Sequence, residues 1–289
     1  MSMKEKASII QSKKGWKNPG VWISFFLLLL AAAAWIYPFV WMISGSFKSN
    51  LELLNKGLNL IPEALDFSAY HRAWVDAHFD TYFLNSVITT AATVLIVVIR
   101  CSLAGYVLAM YEFRGKTLIM TVLLVTFFVP TGTTLIPTVS LSSDLGLLNT
   151  RTGLILALAG GGQVASIFLY KGFFEQTPRE LMEAAAIDGA GFLKIFTSVM
   201  LPLTGPITAT TVVMTFMGAW NNFMLPLVFT FSNTSLRTLP VGMMVFSRGD
   251  TVDYAGQCAA AILSITPIVV LYVFCQKYFV SGIAGAIKS

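Results

Sequence analysis

Residues 178–203 read PRELMEAAAIDGAGFLKIFTSVMLPL. The first half favours helix from Glu180 to Asp188, with Pro178 placed to open the first turn. Gly189 and Gly191 can stop that helix and turn the chain, and Phe192 to Met200 can form a second helix leading to Pro202. Ala184, Ala185 and Gly189 give the turn a small face that another surface can approach closely. The product is a helix–turn–helix elbow carrying a carboxylate at Glu183, set between two long apolar stretches.

Outward from the elbow, apolar runs occupy about Val21 to Ile43, Phe83 to Met110, Leu118 to Val139, Gly153 to Tyr170, Ile207 to Phe231 and Ala255 to Phe279. The chain of 289 residues is 56% hydrophobic and 11% charged, with a mean hydropathy of +0.74; an average soluble domain is about 25% charged. Roughly 20 residues cross a bilayer as helix, so each run suffices for one crossing. The runs lack the alternation of barrel strands, and a backbone in lipid must satisfy its own hydrogen bonds. The expected fold class is therefore an all-α integral membrane protein with six transmembrane helices. Disordered, collagenous and disulfide-stapled classes are excluded. The net charge of +5 has no dense basic stripe, which speaks against nucleic acid as a partner. The first run follows Lys13, Lys14 and Lys17 and contains Ala31 to Ala34, as a secretory signal does, but it is too long for one. It reads as an uncleaved anchor helix with a kink at Pro38.

Orientation follows from the basic residues. With both termini cytosolic, twelve Lys and Arg fall on the inner side and six on the outer, as the positive-inside rule requires. The chain then divides into a cytosolic tail (1–20), a six-helix domain (21–280) and a second cytosolic tail (281–289). Within the domain, 44–80 is external and 175–202 is the cytosolic loop that holds the elbow. In the external segment Phe67, Tyr70, Ala73 and Trp74 share helical spacing. They predict a short helix on the membrane surface or against the other spans; docking of an external protein there is the alternative.

Catalytic signatures are missing. There is no HExxH and no GxSxG, and Gly115-Lys116-Thr117 has Met110 where a phosphate loop needs its first Gly. No catalytic residue is expected, and any nucleotide that drives the protein binds another chain. His71 and His78 lack Cys or Glu at ligand spacing, so no metal site is expected. Cys101, Cys258 and Cys275 sit in apolar runs as small hydrophobes. Acidic residues fall in loops and tails, which leaves proton or sodium coupling without its usual groups. Arg100 alone lies well inside a span. Two readings stay open for it: a structural cation that snorkels or bonds a neighbour's carbonyls, and a pathway residue.

Glu183, Ala184, Ala185, three residues, Gly189, nine residues, Val199, one residue and then Leu201-Pro202 resemble the EAA loop of permease subunits in binding-protein-dependent ABC importers, where the Val199 position is Ile. Asn85-Ser86-Val87, the stretch from Tyr111 through Glu112, Phe113, Arg114 and Gly115 to Lys116, and Ala219 to Pro226 resemble the maltose-type carbohydrate branch. So does the tail with Tyr278, Phe279, Gly282, Gly285, Ala286, Ile287 and Lys288. The resemblance implies the permease architecture of a type I ABC importer, and uptake of a carbohydrate delivered by an external solute-binding protein. It implies a second homologous permease subunit and two ATPase subunits as partners. ATP and Mg would bind on the ATPase, no cofactor on this chain, and the setting would be a bacterial or archaeal cytoplasmic membrane. By the same resemblance Glu183, Ala184, Ala185, Asp188, Gly189, Leu201 and Pro202 form the ATPase-coupling loop. Trp220, Asn221, Asn222, Gln163 and Gln257 are the substrate-path candidates, because saccharides need hydrogen-bonding groups beside aromatic faces; each also suits helix-to-helix bonding. An ABC permease for a peptide, phosphate or polyamine, and an ATP-independent channel or facilitator, remain as alternatives.

Overall fold

The structure, a computed structural model, describes residues 19–57, 59–161, 163–247 and 252–286. The expected cytosolic tail at 1–20 falls almost wholly outside them. Every regular element among the described residues is helical. The chain forms two units, 19–73 with 252–262, and 74–247 with 263–286.

In the smaller unit, α1 (Pro19–Gly45) is one uninterrupted helix of 27 residues that continues through Pro38, with its apolar side chains exposed along most of its length. At about 1.5 Å per residue it reaches roughly 40 Å, enough to cross a bilayer. Next comes α2 (Asn50–Lys56), started by Ser49, whose Oγ accepts a hydrogen bond from Glu52 N at 3.2 Å. The predicted external helix is short, α3 (Ser68–His71) running into a π-turn at Arg72–Asp76. Its buried residues are Ala69 and Ala73, whereas Phe67 is exposed; the small side chains permit close packing. His71 and His78 are exposed, and His78 has left-handed backbone at φ 56°.

The larger unit is built around α4 (Phe79–Met110), 32 residues long. Thr89, Thr90, Thr93, Val97, Cys101 and Gly105 recur on its buried side at helical spacing, a stripe of small residues that suits helix-to-helix approach in lipid. α4 packs most extensively against α8 (Val164–Glu175), and also against α7 (Arg151–Gly160) and α12 (Gly205–Trp220). A Cβ added at Gly105 would lie 2.5 Å from Tyr170 Cβ and 2.9 Å from Lys171 N, so only glycine allows this approach of α4 to α8.

Three of the six apolar runs are broken helices. The third apolar run is α5 (Lys116–Phe127), a 3-10 turn at Thr131–Thr134 and α6 (Leu135–Asp144), with a 98° bend between the helical halves. Pro130 cannot donate to a helical ladder and Gly132 weakens one. The fourth run breaks at Gly160 and Gly161, between α7 and α8, with a bend of 57°. In the fifth, α12 ends at Trp220 and α13 (Met224–Phe229) follows a turn in which Asn222 Oδ1 accepts from Leu225 N at 3.1 Å. Among the described residues three helices are individually long and apolar enough to cross a membrane, namely α1, α4 and, after the one-turn α14 (Leu239–Gly242), the last helix α15 (Tyr254–Ala286) over Tyr254–Gln276. Bent helix pairs supply up to three more spans. Helical backbone continues into the expected C-terminal tail as far as Ala286.

Candidate functional site

The predicted elbow is present. Its first leg is α9 (Glu180–Ile187). Gly189 closes it with φ +78°, the left-handed region that costs other residues about 1–2 kcal/mol. Gly189 N donates to Ala186 O and Ala190 N to Ala185 O, both at 3.0 Å. These paired bonds form a Schellman cap, which satisfies carbonyls the helix end leaves open. Gly191 is extended, and the second leg runs from Phe192 to Leu203 as α10 (Phe192–Ile195), a π-turn at Phe196–Met200 and α11 (Leu201–Leu203). Pro202 lacks an N–H, and the ladder widens into the π-turn just before it. An 83° bend at Thr204 then leads into α12.

An aromatic base underlies the elbow. Tyr106 of α4 is fully buried, with ring centroids 5.6 Å from Phe174, 5.5 Å from Phe192, 5.3 Å from Phe196 and 5.6 Å from Tyr111. Its hydroxyl lies 3.2 Å from Tyr111 Oη and donates to Met182 Sδ at 3.5 Å, so α9 is tied to the same ring. Ile195, Phe196 and Met200 complete the buried cluster, and Ala185, Ala190, Val199 and Leu201 pack around it. The small face expected at Ala184, Ala185 and Gly189 is therefore divided. Ala185 shares the inward side with Met182, three residues earlier. Glu183, Ala184, Asp188, Gly189 and Pro202 are exposed. Beside the elbow, Lys116 Nζ hydrogen-bonds Glu112 Oε1 at 2.8 Å; that bond, with a smaller contribution from Arg179, holds the Glu112 carboxyl below the usual carboxylate range.

Sequence reasoning passed over two features. Ile187 is 86% exposed at the tip of α9, where a large apolar side chain gains nothing by facing water. Tyr106 was one aromatic among many in an apolar run. Only the i, i+4 spacing of Phe192 and Phe196 hints at a ring to receive them.

The path candidates occupy separate environments. Trp220 is buried, its ring stacked on Phe216 at 5.3 Å and its Nε1 donating to Ser264 O at 3.0 Å. Asn221 is exposed and bonds back to Met217 O at 3.1 Å. Asn222 makes the turn into α13. Gln163 accepts a hydrogen bond from Arg100 Nη2 at 2.5 Å and donates to Leu158 O at 3.1 Å. Gln257 is half-buried in the first turn of α15, in the smaller unit. That turn is capped by Asp253, whose Oδ1 accepts from Gly256 N at 2.9 Å. Arg72 grips the same carboxylate with Nε to Oδ2 at 2.9 Å and Nη2 to Oδ1 at 3.1 Å. Burial pushes the Asp253 carboxyl up, but these hydrogen bonds and the Arg72 charge outweigh it and hold it below its ordinary range.

Known proteins share this arrangement of helices. A chain in the crystal structure of a bacterial ABC transporter involved in the import of the acidic polysaccharide alginate superposes with a TM-score of 0.74, covering 96% of this chain and 99% of that one at 24% identity; the likeness is one of fold. In sequence, the chain is 34% identical to the diacetylchitobiose uptake system permease protein NgcG of Streptomyces coelicolor, over 92% of this chain and 87% of that protein. It is 33% identical to the melibiose/raffinose/stachyose import permease protein MelC of Bacillus subtilis, over 91% and 95%. With the trehalose/maltose transport system permease protein MalG of Thermococcus litoralis it shares 34%, over 90% and 94%. Residues 101–285, which hold the elbow, its aromatic base and the broken fourth span, match the family of the binding-protein-dependent transport system inner membrane component, and the chain belongs to that family.

Proposed function

We propose that this chain is one transmembrane half of an ATP-driven importer in the cytoplasmic membrane of a bacterium or archaeon, and that its cargo is a saccharide handed over by an external solute-binding protein. The relatives' names support a saccharide. Counting each bent helix pair as one span gives six crossings, and the distribution of Lys and Arg supports cytosolic termini. A second, homologous permease subunit completes the path. Two separate ATPase chains bind ATP and Mg, and the elbow formed by residues 183–189 sits in a cleft of one of them. Closure of the ATPase pair then moves the elbow as a lever, and the helices shift between inward-open and outward-open arrangements.

One observation carries this reading: a rigidly seated elbow presents Ile187, 86% exposed, beside Glu183, Ala184 and Gly189. A protein partner is the natural cover for such a tip. The test is Gly189→Val in the assembled transporter. A branched residue at φ +78° costs on the order of 1 kcal/mol or more and misdirects the tip. Membrane abundance should stay near normal while ATP hydrolysis loses its stimulation by loaded binding protein. Normal coupling in Gly189→Val would remove the lever mechanism.

A further inference from the structure

Arg100 stands ten residues before the end of α4 and Gln163 twelve before the end of α8, about 15 and 18 Å along the axes. α4 and α8 run side by side in the same direction, Cys101 beside Gln163 and Gly105 against Tyr170. Both distances are thus measured from the same end of the helix pair. A helical side chain leans toward its helix N-terminus, which for Arg100 is away from that end. The guanidinium donates Nη2 to Gln163 Oε1 at 2.5 Å, while Gln163 is anchored on Leu158 O. Arg100 is therefore tied to a second helix within an apolar stretch of α4.

The guanidinium is exposed, and among the described residues no acidic side chain forms an ion pair with it. Gly160 and Gly161, at the 57° break beside Gln163, are exposed too, with open space where a Cβ would stand. Neither a guanidinium nor unwound backbone is stable against hydrocarbon; both are tolerated where they line water or are covered by protein. We propose that Arg100, positioned by Gln163 at the break between α7 and α8, lines the aqueous route and hydrogen-bonds acceptor oxygens of the carried saccharide. A guanidinium offers a fork of five N–H donors, which fits a pair of neighbouring hydroxyls or a carboxylate. The assignment of the ligand rests on the importer reading above, whereas the assignment to the route does not.

The experiment uses the assembled transporter with Cys101, Cys258 and Cys275 replaced by alanine. Arg100→Cys and Leu95→Cys, the latter about 140° round the same helix, are treated with water-soluble, membrane-impermeant methanethiosulfonates in nucleotide-free and vanadate-trapped states. Labelling at position 100 in at least one state, and at position 95 in neither, is the expected result. Silence at position 100 in both states overturns the proposal. In parallel, uptake of radiolabelled raffinose and of a uronic-acid oligosaccharide is measured at matched membrane abundance. Arg100→Gln should raise KM about tenfold or more, with partial recovery in Arg100→Lys. An equal rise for both saccharides identifies hydroxyl recognition, and a larger rise for the uronate identifies the carboxylate. Unchanged KM overturns the ligand assignment. Absence of uptake of both by the unsubstituted protein overturns the ligand assignment for these two saccharides, and the labelling still decides the route.

Discussion

The seat of the elbow and the corner at Asp253 are both firmly held, by opposite means. Around Tyr106 the contacts are mostly rings, sulfur and aliphatic carbon, and the Tyr106 ring itself is closed to solvent. At Asp253 a partly exposed carboxylate is shared between the guanidinium of Arg72 and the first turn of α15. The first kind of contact is indifferent to pH and salt and sensitive to shape. The second is sensitive to charge and forgiving of shape. An elbow that served as the proposed lever would gain from the former, because packed rings leave few alternative arrangements.

The largest expected effect is that of Tyr106→Ala. Removing a fully buried aromatic costs about 3–5 kcal/mol, and it should appear as lost amide protection across residues 180–203 in hydrogen exchange. Tyr106→Phe keeps the rings and loses only the hydroxyl contacts, at about 1 kcal/mol. Similar losses in both variants would show that hydrogen bonds, and not packing, seat the elbow. At the other corner, Asp253→Ala removes a helix cap worth about 1 kcal/mol together with the ion pair. Asp253→Asn retains the capping oxygen and should cost less. Faster exchange at Ala255 and Gly256, confined to the alanine variant, would separate the cap from the charge.

Acid sharpens the contrast. The Asp253 carboxyl titrates below its unfolded value, so its contribution is complete above the ordinary carboxylate range, near pH 4, and drains away as pH falls through its lower folded value. Exchange at Ala255 and Gly256, corrected for intrinsic rates, should accelerate there while protection around Tyr106 holds. The smallest effect on stability belongs to Glu183→Ala, on the exposed rim of the elbow. It should leave the fold within about 0.5 kcal/mol and reduce substrate-stimulated ATP hydrolysis less than Gly189→Val does.

Sequence revealed the elbow well because its signals are local. A proline before a helix, two glycines after it and an apolar second leg each constrain their own few residues, and the left-handed backbone at Gly189 follows from them. The spans were legible as apolar runs but not as straight objects. Hydropathy averages over Pro130 and Gly132, or Gly160 and Gly161, without registering that the hydrogen-bond ladder stops there. Direction was least legible. Trp220 beside two asparagines reads as a substrate-path candidate, and the sequence alone does not tell that its ring stacks on Phe216. Tyr106 left only the spacing of Phe192 and Phe196 as a hint, because three of the four rings around it come from segments about 70 and 90 residues further along the chain.

The glycine at position 105 sets how force travels. Side chains between two helices act as a compliant washer, able to swap rotamers and absorb a small push. At Gly105 that washer is missing, and the backbone of α4 bears on Tyr170 and Lys171 of α8. Hard-packed atoms compress very little. A displacement of the elbow delivered to Tyr106, one residue along, would therefore meet little compliance on its way into α8.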